Sequence, residues 1–130
     1  MTALAQSRQT PERLGNILSI TMAAGAHGFL GGMAQVNATG GGDAATATAA
    51  NKTVGVFMAD AGPGEAANVK KGIFAFANSA GADEITKANI GATCYVVDDQ
   101  TVAKTSDTNA RPAAGKVFDV DEYGVWVDFR

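Results

Sequence analysis

The large apolar side chains of this chain fall into short runs in which every second residue is apolar, and Gly-rich breaks separate the runs. Leu18, Ile20 and Met22 alternate within 16–22, Val54, Val56 and Met58 within 53–59, and Phe74 and Phe76 within 69–77. Period-two spacing places such residues on one face of a strand. No segment of 10–15 residues has the three-to-four spacing of an amphipathic helix, which argues against parallel βαβ folds. Further strands are expected at 29–36, 92–97 with a short continuation at 100–103, 115–120 and 125–129. The last two form a hairpin over a four-residue loop, Asp121-Glu122-Tyr123-Gly124, with Gly124 supplying a positive φ. The expected fold is all-β, a small barrel or sandwich-like domain over 16–130. One short helical turn is expected within 85–91, capped by Thr86 and ended by Gly91.

Residues 60–68 read as a loop, because Gly62-Pro63-Gly64 stops regular structure. Two longer segments also carry no strand pattern. Residues 1–15 are polar, carry Pro11, and lack an apolar stripe that would hold a helix to a core, so they read as an extended N-terminal arm. Residues 38–52 are Gly, Ala and Thr without one large side chain, and read as a long loop or flexible flap. Small residues dominate the whole chain: 26 of its 130 residues are Ala and 16 are Gly, against nine aromatics. Core-building side chains are therefore few.

Composition narrows function by exclusion. The net charge is −3 and the longest basic run is Lys70-Lys71, so the counterion-displacing surface of a nucleic-acid binder is not expected. No run approaches the apolar length of a membrane helix, and the N-terminus lacks the basic-then-apolar layout of a signal peptide. The single Cys94 rules out an internal disulfide and fits a reducing compartment.

Each candidate chemistry meets a simpler account. His27, the only histidine, sits among glycines with neither Ser19 nor Cys94 placed beside it by the sequence, so a surface turn residue is the expectation. Cys94 lies within a strand, where a buried inert thiol is expected. Gly40–Ala45 matches G-x-G-x-x-A, but no apolar face follows to build the helix that would hold a pyrophosphate. Asp119–Gly124 opens like a calcium loop, yet its fifth and twelfth positions are Tyr123 and Arg130. No catalytic residue, cofactor site or metal site is expected.

The run from Lys71 to Val127 carries K-G-I-F-A-F-A-N, I-T-x-A-N-I-G, C-Y-V-V-D-D-Q-T-V-A, A-A-G-K-V and G-V-W-V in that order. It resembles the small capsid cement, or head decoration, proteins of tailed bacteriophages, in particular those of Mu-like and related siphophages. The resemblance implies a β domain made in the host cytoplasm that binds the outside of the phage head. It also implies trimers at three-fold and quasi-three-fold positions, with the major capsid protein and further copies of the chain as partners. Direct contact with nucleic acid or membrane is not implied. Within that reading the arm contacts the capsid through Arg8, Gln9, Thr10, Pro11 and Arg13: the arginines meet acidic shell surface and the proline sets direction. The alternative is a carbohydrate- or receptor-binding β module on a virion.

Overall fold

The computed structural model describes residues 2–130. Ten strands carry the chain: β1 (Ile17–Thr21), β2 (Met33–Val36), β3 (Gly42–Ala44), β4 (Lys52–Phe57), β5 (Ala66–Lys70), β6 (Ile73–Phe76), β7 (Thr93–Asp98), β8 (Thr101–Ala103), β9 (Ala113–Asp121) and β10 (Gly124–Asp128). They form two antiparallel five-stranded sheets, ordered β1-β5-β4-β2-β3 and β6-β10-β9-β7-β8. The fold is thus all-β and sandwich-like. Each sheet rolls until its outer strands touch at one residue pair, Met22 with Gly42 and Ala77 with Thr101. Neither ladder continues past that pair, so no closed barrel forms.

The two sheets repeat one topology. Numbering the strands of each half from one to five gives the same order, 1-5-4-2-3, in both. The likeness extends to irregularities. The β2–β4 ladder slips between Ala34 and Gln35, where Ala34 faces Gly55. The β7–β9 ladder slips between Cys94 and Tyr95, where Cys94 faces Gly115. A Cβ on Gly55 would lie 2.6 Å from the Lys70 carbonyl oxygen, and one on Gly115 would lie 2.4 Å from that of Asp128. Lys70 and Asp128 close the fifth strand of their halves. The entering turns also match: Phe57 N donates to Gly32 O and Gly31 N to Phe57 O, as Val117 N does to Ala92 O and Gly91 N to Val117 O.

Burial follows from alternation. In β2, Met33 and Ala34 point to opposite faces, as do Val56 and Phe57 in β4. Ala34 and Phe57 turn into the first roll, beside Ile20, Met22, Ala67 and Val69. Met33 and Val56 turn the other way and join the main core, with Phe76, Cys94, Val96, Val117, Val125 and Val127. The first roll is narrow. A Cβ on Gly28 would meet the Phe57 ring at 2.3 Å, and one on Gly42 would meet Ile20 Cδ1 at 2.7 Å. The abundance of Ala and Gly thus has a packing reason.

Several boundaries differ from the sequence reading. Residues 69–77 are two strands, because the chain passes from one sheet to the other at Lys71-Gly72. β5 begins at Ala66, inside the segment expected as a loop. The strand expected over 29–36 is confined to Met33–Val36, and Phe29 and Leu30 precede it exposed. The expected flap 38–52 contains β3 and ties itself down with polar groups. Asn37 Oδ1 accepts from Thr39 and Gly41 backbone N–H, Thr46 N donates to Gln35 Oε1, and Ala45 is buried. The hairpin loop is tighter than expected, with only Glu122-Tyr123 between the strands, and Gly124 takes φ +116°. The expected helical turn is the 3-10 turn Lys87–Asn89, in which Thr86 Oγ1 accepts from Ala88 N and Asn89 Oδ1 accepts from Thr86 N. A second 3-10 turn, Gly81–Asp83, accompanies it.

Candidate functional site

Residues 2–15 carry neither strand nor helix, and every one of them is exposed. Arg8, Gln9, Thr10, Pro11 and Arg13 therefore stand clear of the folded body, and Met1 of the expected arm lies outside the described residues. Leu4 and Leu14 are exposed as well. The body takes hold of the chain at Asn16, whose carbonyl accepts from Lys71 N at 2.8 Å.

The enzyme-like candidates do not converge. His27 is exposed in the connection between β1 and β2. Cys94 is fully buried in β7, its Sγ directed to the Gly115 carbonyl 3.5 Å away. Burial pushes its thiol up to about 11, opposite to the activation a nucleophilic thiol needs. Gly40–Ala45 becomes a turn and β3, not the strand-to-helix turn of a dinucleotide site. Asp119 and Asp121 serve the hairpin: Asp119 Oδ1 pairs with Lys87 Nζ at 3.1 Å and Asp121 Oδ1 accepts from Tyr123 N. Among the described residues no group of three or more His, Cys, Asp or Glu is placed to hold a metal.

What the body presents instead is surface. Phe29, Leu30 and Met58 are exposed together at one end of the first sheet. Leu30 and Met58 border a cavity of about 310 Å³ floored by Phe57, Phe74 and Phe76. Leu30 is held there by its N–H, which donates to Asp60 Oδ1 at 2.9 Å. The sequence reading missed this patch because it assigned Phe29 and Leu30 to a strand. The signal against that assignment was Gly31-Gly32, which turns the chain before β2.

A groove of mixed polar and apolar lining lies at the seam between β4 and the start of β9, with Pro112, Ala113 and Ala114 among its walls. About 480 Å³ of space is lined by Asn51, Lys52, Thr53, Thr93 and Lys116, and it adjoins a further 260 Å³ beside Asp128 and Arg130. Thr53 Oγ1 is buried at this seam without a hydrogen-bond partner. At the other end of the same hairpin, Asp121, Glu122 and Tyr123 are all exposed, with the Tyr123 ring edge-on to Trp126 at 6.1 Å.

A third surface feature is a braced loop. Arg111 Nη1 contacts Asp83 Oδ2 and the Thr105 carbonyl, both at 3.2 Å. This clamp holds the base of a left-handed turn, Asp107, Thr108 and Asn109. Hydrogen bonds from Thr105 and Arg111 hold the Asp83 carboxyl below its ordinary range.

No protein-family model, curated protein or solved structure matches this chain.

Proposed function

We propose that the chain is a structural virion protein that binds the outer surface of a tailed-phage head and cements the expanded shell, as trimers at three-fold and quasi-three-fold positions. The reading rests on the ordered motifs of 71–127. The observation that supports it best is the exposed arm at the entrance of a folded β body. Such an arm suits addition to a neighbour's sheet edge, where backbone hydrogen bonds supply affinity. Fourteen extended residues reach at most about 50 Å, enough to cross a subunit boundary. Arg8 and Arg13 give it positive charge for an acidic shell, and the Phe29–Leu30–Met58 patch offers the body a second, apolar hold. The role needs no catalytic residue and no cofactor, and the trimer's partners are the major capsid protein and its own copies.

The test is to add the purified chain to undecorated expanded heads of the phage that encodes it. Added density on the outer surface, in trimers, together with heads that resist heat and chelators longer, is the expected result. Density inside the shell or confined to the tail overturns the reading.

One observation favours the alternative, a glycan- or receptor-binding module: Phe118 and Tyr123 are 53% and 71% exposed on one hairpin. Binding on a glycan array, lost in Tyr123→Ala, would select it.

A further inference from the structure

The β9–β10 hairpin ends in two carboxylates at its tip, while its base borders a groove that carries two lysines. Its tip presents Asp121 and Glu122, exposed beside the Tyr123 ring. In that groove Lys52 and Lys116 are exposed and, among the described residues, neither is in a salt bridge. The groove's carboxylate, Asp128, lies across the ladder from Lys116 but spends its salt bridge on Arg130 at 3.1 Å. Thr53 Oγ1, buried on the groove wall without a partner, lacks the hydrogen bond that a buried hydroxyl ordinarily makes. Tip and groove cannot meet within one molecule. Five residues of extended strand separate Lys116 from Asp121, about 17 Å along a rigid ribbon.

We infer that the groove receives the hairpin tip of a second copy of this chain, with Asp121 and Glu122 meeting Lys52 and Lys116. The inference rests on the trimer reading above and assigns it a contact surface. The charges are of opposite sign, and the space of about 480 Å³ at the groove suits the two-residue loop Glu122-Tyr123. An exposed Tyr beside a pair of carboxylates is a good anchor, because it brings contact area at little entropic cost. The contact is head-to-tail: each copy gives a tip and receives one. Repeated by rotation, such contacts close into rings, which a two-fold contact between identical patches does not do. Few large apolar residues are involved, so the contact is weak between free molecules and strengthens when a lattice holds several copies together. Being ionic and exposed, it weakens with salt.

The experiment is sedimentation of the full chain at low ionic strength and concentrations up to about 1 mM, the range in which millimolar contacts are read. Self-association beyond the monomer that falls as salt is raised is the expected result. Asp121→Lys with Glu122→Lys weakens it at least about tenfold, as does Lys52→Glu with Lys116→Glu. Glu122→Lys alone keeps the Asp121–Tyr123 turn bond and still weakens it. The chain with all four charges exchanged regains association, an outcome that misfolding of the variants cannot produce. A wild-type chain that stays monomeric, single-end variants that associate normally, or failure of the fourfold exchange each overturns the contact. Binding to heads is measured separately. If the wild type and both single-end variants bind heads as equally ordered trimers, the contact falls and the cement reading stands. If association behaves as expected but heads bind nothing, the cement reading falls and the contact stands.

Discussion

Gly55 and Gly115 hold equivalent places in the two halves, each at a slipped ladder and each against the carbonyl that ends a fifth strand. Gly55 also takes φ +145°, a conformation that side chains resist. Gly55→Ala and Gly115→Ala each force backbone apart where it cannot yield, and each is expected to cost about 2–3 kcal/mol. Urea unfolding checks this, and a loss under half a kcal/mol for either would show that the sheet relaxes locally. Cys94 gives a second prediction. Its thiol is raised from an ordinary 9.0 to about 11 by burial. The folded state therefore keeps a proton that the unfolded chain releases above pH 9. The stabilising contribution is complete below pH 9 and is lost as pH rises through 11. Cys94→Ala removes this part of the alkaline loss, and the native thiol should resist alkylation at pH 8 until the protein is unfolded.

At the scale of elements, sequence alternation is faithful where a strand has one buried and one exposed face, and it fails in β4. Both faces are buried there, the slip at Gly55 sends Val54 to the first roll and Val56 to the main core, and Met58 lies exposed beyond the strand instead of sharing their face. Leu18, Ile20 and Met22 do share a face, as do Phe74 and Phe76, Phe76 buried in the main core and Phe74 packed half-buried against it. β3 was illegible because Gly42-Asp43-Ala44 has no large side chain to carry a period; it is fixed by backbone pairing to β2. The division of 69–77 was illegible for the opposite reason. Alternation continues through Lys71-Gly72 although the chain changes sheets there, and a side-chain period records facing, not partner. The surface groove had no signal at all, since Lys52 and Lys116 are 64 residues apart in sequence. The arm is the element on which function and folding separate. Residues 2–15 are exposed throughout, so deleting 1–15 should leave the thermal midpoint within about 2 °C. In the proposed role the same deletion weakens binding to heads. A truncated chain that melts much earlier shows that the arm is part of the fold, and one that decorates heads normally removes the arm from the contact.

The whole molecule is two copies of one topology, yet its cores are not divided in the same way. Met33, Ala45 and Val56 belong by sequence to the first half and by packing to the main core, which is otherwise built from the second. Met33 is fully buried, and its N–H donates across the halves to the Asp99 carbonyl at 2.8 Å. The repeated backbone was invisible in sequence because what repeats is hydrogen bonding at Gly31 and Gly91 or Gly55 and Gly115, while side chains diverge, as Ala34 and Cys94 do. Borrowing core residues across the halves has a thermodynamic consequence. Losing the first half strips Met33, Ala45 and Val56 from the main core, and losing the second leaves those three side chains exposed, so the chain should unfold in one cooperative transition, with equal calorimetric and van't Hoff enthalpies. Met33→Ala leaves a cavity in the shared core and is expected to cost about 2–5 kcal/mol. It should lower that single midpoint by about 7–18 °C without splitting it. The fragment 72–130, deprived of Met33, Ala45 and Val56, should show no cooperative melt. Two resolved transitions in the full chain, or a fragment that melts sharply on its own, would mean that the halves are independent modules joined at Lys71-Gly72.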